Sequence, residues 1–316
     1  GVAGSDPLDR WHLPVQVKMN IRTFSPDDYP AIAAIHNSLN IVWPERPRTA
    51  EAWAEADQHR TDQRRSTSSR YQRWVAVEDG SVVGFATYQQ TPWTYPPHSF
   101  DINVEVLPSR QRHGIGSALY DQIMEGLHAF NPPALRADAF TNLPQGFSFL
   151  QARGFYEAFR ETPVHLDVTA FDPSPYAALE PKLNAEGIII KTLRELESDP
   201  DRNRKVYDLY CEADQDVPHE GDAPVKPIYE EWLEWGLNDP SMHEAYFIAM
   251  RGDEYVGLRE LGKYPESDTL LGGLLGVRRE YRKQGIGLAM QLRGIAYARA
   301  HGYRLLKTCT AIQNAP

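Results

Sequence analysis

Cysteine is scarce in this 316-residue chain, which contains only Cys211 and Cys309. The two are far apart in sequence, form no CxxC pair and have no histidine cluster beside them. The sequence therefore argues against a disulfide framework and against a zinc site, and we expect no metal centre. So few cysteines suit a reducing compartment, and we expect a cytoplasmic protein.

Long apolar runs and an excess of basic charge are also missing. No stretch approaches the roughly 20 apolar residues that a membrane-spanning helix needs, and residues 1–18 lack the basic-then-apolar pattern of a signal peptide. The formal net charge of -10 argues against a general nucleic-acid partner. We expect neither a membrane nor a nucleic acid as partner. Residues 1–18 are interpreted as a leader or tag ahead of Met19, with a native disordered arm as the alternative.

The two halves of the chain repeat each other. At a nearly constant offset, "WVAVEDGSVVGF" (74–85) matches "FIAMRGDEYVGL" (247–258), "QRHGIG" (111–116) matches "RKQGIG" (282–287), and "TNLP" (141–144) matches "QNAP" (313–316). A weaker match of "MNIRTF" (19–24) with "IKTLRE" (190–195) places Ile21 over Leu193. Several elements in the same order indicate a duplicated domain.

Each repeat is predicted to be a mixed α/β unit. The pattern of helix caps, hairpin signals and apolar runs gives the order β-α-α-β-β-β-α-β-α-β, a mostly antiparallel sheet flanked by helices. We predict a first domain at 19–170, closed by a strand at 155–168, a linker at 171–186 and a second domain at 187–316. The last helix and strand of the second repeat would follow Pro316.

The repeated glycine turn has the chemistry of an anion site. A predicted helix begins directly after Gly114 and Gly116, so its first backbone N–H groups lack intrahelical partners, and the helix dipole favours negative charge there. Glycines without Cβ atoms allow a ligand to approach the main chain closely. Arg112 and His113, or Arg282 and Lys283, add donors. We infer a phosphate-bearing ligand held mainly by main-chain amides.

Two other phosphate motifs do not fit. The third glycine of GxGxxG is replaced by Leu119 in one turn and by Met290 in the other, which disfavours a dinucleotide site. The chain has no GxxxxGK[ST], which excludes a P-loop.

The pattern that fits is V-x-x-x-[RY]-[QR]-x-x-G-x-G after a strand, present from Val106 to Gly116 and again from Val277 to Gly287. It closely resembles the acyl-CoA-binding motif of the GNAT superfamily of N-acetyltransferases. Two copies cover nearly the whole chain, an arrangement similar to mycothiol synthase and other tandem acetyltransferases.

The resemblance implies a site for acetyl-CoA in each repeat. Backbone amides of each turn would hold the coenzyme A pyrophosphate, the valine would line the pantetheine, and an asparagine after the next strand would contact the pantetheine arm. In the first repeat the matching positions are Val106, Gln111, Arg112, His113, Gly114, Ile115, Gly116, Ser117 and Asn142. In the second they are Val277, Arg282, Lys283, Gln284, Gly285, Ile286, Gly287, Leu288 and Asn314.

Catalysis is assigned to the first repeat. Transfer to an amine needs a group that takes the amine proton, and in the family a glutamate on the fourth strand often serves. Glu105 precedes Val106, whereas Gly276 occupies the equivalent place in the second repeat. This asymmetry departs from mycothiol synthase, where the C-terminal copy is active. The alternative for Glu105 is a solvated strand carboxylate, or one paired with a nearby arginine. Asp101 on the same strand is a weaker candidate and is expected to be a surface residue near the end of the strand. The proton donor to the leaving thiolate is unassigned.

We therefore predict an acetyl-CoA-dependent N-acetyltransferase that acts on a primary amine by direct attack in a ternary complex. The acceptor would be a small molecule or a peptide amine. The alternative is a non-catalytic acyl-CoA-binding sensor or scaffold. The acidic stretch 211–222 could form a rim for a basic acceptor or a solvated loop. The protein is expected as a monomer whose repeats pack as a pseudo-dimer, or as a homodimer.

Overall fold

The computed structural model describes residues 19–39, 48–67, 70–91, 99–218, 226–237, 239–263 and 268–312. Its contacts separate two compact units, one comprising residues 1–92 and 98–150 (unit 1) and the other residues 93–97 and 151–316 (unit 2). The predicted leader at 1–18 and the predicted ligand contact Asn314 lie outside the described residues.

Unit 1 is a five-stranded sheet with helices on both faces. Its elements are β1 (Asn20–Thr23), α1 (Tyr29–Ser38), α2 (Ala50–Thr67), β2 (Tyr71–Glu78), β3 (Ser81–Thr91), β4 (Ser99–Val106), α3 (Ile115–Leu127), β5 (Leu135–Arg136) and α4 (Pro144–Gln151). The strand order is β1-β2-β3-β4-β5, in which only β4 and β5 are parallel. This confirms the predicted mixed, mostly antiparallel sheet.

The helices of unit 1 are held to the sheet by regularly spaced apolar residues. On α3, Ile115, Leu119, Ile123 and Leu127 recur every four residues, and each is at most 1% exposed. Helix α1 buries Ile32 and Ile35 in a second cluster that includes Trp53 of α2 and Phe85 of β3. Burying each such aliphatic side chain stabilises the fold by about 1.5–3 kcal/mol. These contacts fix the two helices that flank β4.

Unit 2 repeats this plan with one strand more. Its elements are β6 (Glu161–Asp167), α5 (Leu179–Ala185), β7 (Ile188–Thr192), α6 (Arg202–Asp214), α7 (Tyr229–Gly236), β8 (Phe247–Arg251), β9 (Glu254–Lys263), β10 (Thr269–Val277), α8 (Ile286–Ala300) and β11 (Leu305–Ala311). The strand order is β6-β11-β10-β9-β8-β7, and only β10 and β11 are parallel.

The internal repeat extends to the strand register. Ala76 pairs with Gly84 and Ala249 pairs with Gly257, and in each hairpin the register shifts immediately afterwards. The alignment of the first strands, however, was wrong. Ile21 pairs with Ala76, and its counterpart opposite Ala249 is Ile190 rather than Leu193. The short strands carry too few matched residues to fix an alignment without their partners.

Two predicted segments differ in the structure. The strand predicted to close the first repeat, at 155–168, is β6, and it pairs along its length with β11 in the second sheet. The division of contacts accordingly falls at residue 150 rather than at residue 170. The predicted linker at 171–186 contains helix α5, whose Leu183 is fully buried in the core of unit 2. Pro173 and Pro175 precede the helix, and Pro181 lies in its first turn, where a backbone N–H would have no intrahelical partner.

Candidate functional site

The glycine turn of unit 1 joins β4 to α3 through a short 3-10 turn at Pro108–Arg110. Arg112 has φ +66° and Gly114 has φ +84°, both in the left-handed region. Gly114 is the N-cap of α3 and offers no side-chain cap. A positive φ is unusual for an arginine, and such strain concentrates at ligand-binding turns. The turn is therefore held in a conformation that the sequence alone would not favour.

The turn of unit 2 has the same conformation. After the 3-10 turn Arg279–Tyr281, Lys283 has φ +62° and Gly285 has φ +92°, and Gly285 is the N-cap of α8. Two turns with different side chains share the same sequence of left-handed residues. The shared feature is the direction of the main-chain N–H groups, which is what an anion-binding concavity requires.

The first turn of α3 presents main-chain donors at this concavity. The amide of Ala118 makes the first intrahelical bond, to the Gly114 carbonyl at 3.0 Å, so the amides of Ile115 and Gly116 precede the bonded ladder. A Cβ atom added at Gly116 would make ordinary contact with Phe149 Cε2 at 3.4 Å. The arrangement fits a phosphate group, since donors and the positive end of the helix dipole coincide.

Gln111 and Arg282 occupy matching places, and their side chains brace the turn. Gln111 Nε2 donates to the Val106 carbonyl at 3.1 Å, and Arg282 Nε donates to the Val277 carbonyl at 2.8 Å. His113 Nδ1 lies 2.7 Å from the Gln111 carbonyl within the same turn. The ring of His113 thus belongs to the turn. These side chains hold the main chain in place, which the sequence motif did not reveal.

Both units open a gap beside the turn. Strand β5 pairs with β4 only at Phe100 and Asp101, and β4 then continues to Val106 without a β5 partner. In unit 2, β11 pairs with β10 only from Thr269 to Leu271. The parallel strands therefore separate beside the turn in both units. This separation leaves one edge of the strand that ends in Val106, and of the strand that ends in Val277, without a parallel neighbour.

Glu105 is buried on the face of β4 that α1 covers. It is 5% exposed, and its two carboxylate oxygens lie 3.1 and 3.0 Å from His36 Nδ1 of α1. Asn103, two residues earlier on the same face, donates from Nδ2 to Glu105 Oε1 at 2.9 Å. Glu105 is therefore not a solvated strand carboxylate. It is part of a small polar network inside an otherwise apolar contact between helix and sheet.

The other predicted residues of unit 1 lie elsewhere. Asp101 is at the opposite end of β4, half-exposed, and pairs with Arg136 at 3.1 Å. Asp101 is therefore part of a surface ion pair. Asn142 is exposed in the turn between β5 and α4. Phe149 of α4 lies near Gly116, so α4 flanks the turn.

Gly276 stands in unit 2 where unit 1 has Glu105, and helix α6 leaves no room for a side chain there. A Cβ atom at Gly276 would lie 2.3 Å from Ala213 Cβ of α6, closer than two carbon atoms can approach. The missing carboxylate is therefore a packing requirement of unit 2. The sequence shows the glycine, but only the structure shows what faces it.

Gly276→Ala is expected to lower the free energy of unfolding by about 1–3 kcal/mol, because overfilling a packed contact forces the helix away from the strand. Gly262→Ala on β9 is the matched control, since a Cβ atom there has nothing within 4 Å. Urea unfolding followed by circular dichroism measures both. Equal stability of the two variants would contradict the close packing of α6 on β10.

The turn of unit 2 also carries its own counter-ion. Asp216, in the turn after α6, forms ion pairs with Arg279 and Arg282. Hydrogen bonds from Arg279 and Arg282 lower the pKa of Asp216 to about 2. Asp216 is thus ion-paired and mostly buried rather than part of a solvated loop, and the acceptor rim, the other interpretation of the stretch 211–222, stays a prediction. Residues 219–222 lie outside the described residues.

A cavity of about 400 Å³ adjoins this second turn, lined by Leu275 and Val277 of β10, by Tyr281 and by residues of the turn and the first turn of α8. Leu179 of α5 borders the same turn, since its Cδ1 would lie 2.7 Å from a Cβ atom on Gly285. The predicted linker therefore supplies a residue beside the predicted ligand site of unit 2.

Unit 2 has a partly buried carboxylate on a different strand. Burial raises the pKa of Glu260 on β9, and the backbone N–H of Leu274 donates a hydrogen bond to it. Its Oε2 would lie 2.6 Å from a Cβ atom on Gly273, where the β9–β10 register shifts. This carboxylate is not equivalent to Glu105, which lies on the fourth strand of its sheet.

Two functional candidates were missed in the sequence. His36 lies one residue after Ile35 and four after Ile32, on the apolar face of α1, and a polar residue on such a face was the available signal. Asp216 gave no comparable signal, because its pairing depends on the turn after α6 reaching residues 279–282.

Within the described residues, no helix is long and apolar enough to cross a membrane. In the same part of the chain, no group of three or more His, Cys, Asp or Glu side chains is arranged to hold a metal ion.

The sequence matches the family model described as Acetyltransferase (GNAT) family at residues 32–157 and again at 203–316. No curated protein matches the chain in sequence. Both family segments contain one glycine turn and the strand before it, so the match coincides with the repeated site.

Solved structures resemble the whole chain. A GCN5-related N-acetyltransferase from Sphaerobacter thermophilus has a TM-score of 0.69 at 19% identity, covering 94% of this chain and 89% of that one. A tandem GNAT protein from the clavulanic acid biosynthesis pathway has a TM-score of 0.62 at 17% identity, covering 95% and 92%. A structure that contains the glucosamine N-acetyltransferase region of a fungal multi-domain GH3 beta-N-acetylglucosaminidase has a TM-score of 0.65 at 14% identity. The match covers 92% of this chain and 35% of that one. At these identities the likeness shows the two-unit fold.

Proposed function

The chain belongs to the acetyltransferase (GNAT) family in both of its halves, and from that premise we propose that it moves the acetyl group of acetyl-CoA to a primary amine. Attack is direct, in a ternary complex. The observation that carries the proposal is the identical left-handed conformation of the two glycine turns. The closer likeness to mycothiol synthase stays a prediction from the two-copy sequence pattern.

Coenzyme A would be held mainly by the main chain. In unit 1 the amides of 111–117 face the pyrophosphate, with Gly114 and Gly116 permitting close approach, and the unpaired edge of β4 up to Val106 lies along the pantetheine, as does Asn142. In unit 2 the amides of 282–288 would hold the pyrophosphate. The edge of β10 up to Val277, together with Asn314, would lie along the pantetheine. The bound thioester supplies an activated acetyl carbonyl; the protein supplies position and a group for the amine proton.

Unit 1 is the catalytic unit. Its β4 presents the buried Glu105 network beside the strand gap, whereas the corresponding place in unit 2 is filled by α6 against Gly276. An amine must lose a proton as it forms the amide bond, so a negative, hydrogen-bonded network at this point has a chemical task.

Unit 2 is favoured for the second candidate function, binding of acyl-CoA without turnover. In unit 1, α1 and the carboxylate of Glu105 lie together on the same face of β4. In unit 2, α6 packs directly against Gly276 of β10 and leaves no room for a carboxylate. The turn itself is intact and adjoins a cavity. Such a unit would sense or store the acyl carrier while unit 1 performs the transfer.

A panel of small primary amines and amine-terminated peptides, incubated with acetyl-CoA, tests the proposed function. Release of coenzyme A thiol and the mass of the acetylated amine are recorded together. We expect both products in equal amounts. Binding of acetyl-CoA with no acetylated product from any amine would favour the sensor function for the whole chain, and absence of binding would reject both.

Asp216→Asn is expected to strengthen acetyl-CoA binding by unit 2 about fivefold, because removing one negative charge near the turn removes about 1 kcal/mol of repulsion. Calorimetric titration of the double variant Gly116→Leu/Asp216→Asn, against Gly116→Leu alone, isolates unit 2. Since the pKa of Asp216 is about 2, the gain should be constant between pH 5 and pH 8.

Glu212→Gln in the same background is the matched control. Glu212 is also on α6, but its ion pair is with Arg278, and its effect on Arg279 is a coulombic interaction weaker than that of Asp216. Its loss should change affinity by less than about twofold. An equal gain from both variants would show a general charge effect and contradict the specific role of Asp216.

A further inference from the structure

His36 is placed for chemistry by the apolar face of α1. The neighbouring Ile32 and Ile35 are 0% and 2% exposed in the core of unit 1, so the helix cannot rotate the ring away from β4 without exposing them. The ring lies edge-on to Trp53, with centroids 5.5 Å apart and an interplanar angle of 87°. Helix α1 and helix α2 together therefore fix the orientation of the imidazole.

The hydrogen bonds of the ring determine which nitrogen can act. Both Glu105 oxygens face Nδ1, at 3.0 and 3.1 Å, and a carboxylate only accepts hydrogen bonds. Nδ1 therefore carries the hydrogen, and in the neutral ring Nε2 holds the lone pair. Within the described residues, no protein group hydrogen-bonds to Nε2.

Burial separates the roles of the two partners. The side chain of Glu105 is 6% exposed, whereas that of His36 is 25% exposed. A ligand that reaches this network meets the ring first. Asn103 satisfies part of the remaining hydrogen-bonding capacity of the carboxylate, at 2.9 Å, which ties Glu105 further to the interior.

We propose that His36 Nε2 is the group that takes the proton from the acceptor amine, and that Glu105 acts through it as the positioning carboxylate. The inference rests on the proposed acetyl transfer. In this pair the buried acid holds one ring nitrogen of the histidine, which sets the tautomer, and it stabilises the imidazolium that forms.

The lone pair of the neutral amine nitrogen forms the new N–C bond, and the C–S bond of the thioester breaks with its electron pair leaving on sulfur. The proton lost by the nitrogen passes to His36 Nε2 and from there to solvent, and water returns one proton to the thiolate. The imidazolium formed meanwhile has the Glu105 carboxylate within hydrogen-bond distance.

Variants at His36 separate proton transfer from simple packing. Asparagine places an amide N–H near the position of Nδ1 and can keep the bond to Glu105, but it cannot take a proton. His36→Asn and His36→Ala are both expected to lower kcat by about 100- to 10,000-fold, with the KM for acetyl-CoA little changed. If His36→Asn keeps most of the activity while His36→Ala loses it, the ring only supports Glu105, and the proposal is overturned.

A spectroscopic readout is independent of turnover. Long-range proton–nitrogen NMR of the full chain labelled in histidine, at pH 8.5, should show His36 with its hydrogen on Nδ1, and Glu105→Gln should alter that signal. A hydrogen on Nε2 would overturn the proposal whatever the activity. If the unaltered protein transfers no acetyl group, the proposed function is rejected instead. If the unaltered protein and the His36→Asn variant are both active, only the role of His36 is rejected.

Discussion

Glu105→Gln is expected to lower kcat for amine acetylation by about 100- to 10,000-fold. Glutamine has nearly the same shape, so the contact between α1 and β4 is kept. It has no charge to stabilise a protonated His36, however, and its amide group can turn an N–H toward Nδ1, where the carboxylate accepts. Both changes act on the transition state more than on the bound substrates.

The measurement is steady-state kinetics with the best amine of the panel, together with calorimetric titration of acetyl-CoA. We expect the affinity for acetyl-CoA to change by less than about twofold, since a loss confined to kcat marks an interaction made mainly in the transition state. Asp101→Asn is the matched control on the same strand, because Asp101 is half-exposed and paired with Arg136. Unaltered turnover in Glu105→Gln would remove Glu105 from the mechanism.

Gly116→Leu and Gly287→Leu are each expected to weaken acetyl-CoA binding at one of the two sites. A Cβ atom at Gly116 would lie 3.8 Å from Val106 Cγ2, and one at Gly287 would lie 3.7 Å from Val277 Cγ2. We expect the bulk of a leucine there to keep the ligand from approaching the first amides of the helix closely. Loss of one or two hydrogen bonds to a charged group, at about 1.5–3 kcal/mol each, weakens binding from about tenfold to several hundredfold or more. Calorimetry gives the affinity and the stoichiometry in the same titration.

The fold should tolerate both variants, which makes their effect on binding interpretable. A Cβ atom at Gly116 comes no closer than 3.4 Å to Phe149, and one at Gly287 no closer than 3.7 Å to Val277. Ser117→Ala, one residue further along α3, is the control and should bind normally if main-chain amides carry the affinity. Two binding events that survive in both leucine variants would refute the assignment of the turns.

Much of the fold could be predicted because its signals are local. The hairpin at Asp79–Gly80 was readable from two residues, and both have the positive φ that its tight turn requires. Gly114 and Gly285 were readable because a strand ended and a helix began around them. The two repeats could also be compared with each other. The glycine-turn motif is too short to be convincing as a single match, but its occurrence at the same place in both repeats made it informative.

The remaining features depend on partners that are distant in sequence. Strand β6 is mostly exposed, so nothing in its composition indicates which sheet it joins; its register is set by β11. The pairing of His36 with Glu105 spans 69 residues and needs the angle at which α1 crosses β4. The role of Gly276 was likewise invisible until Ala213 was found opposite it.

Strand β6 has a consequence for the order of events during synthesis. It leaves the ribosome directly after unit 1, yet β11, the one strand that pairs with it among the described residues, follows well over a hundred residues later. Until then the nascent chain exposes seven residues of unpaired strand edge, the kind of surface that invites wrong pairing. Unit 2 therefore cannot complete its sheet from a polypeptide that starts at residue 187, because the second sequence repeat alone does not encode the whole second sheet.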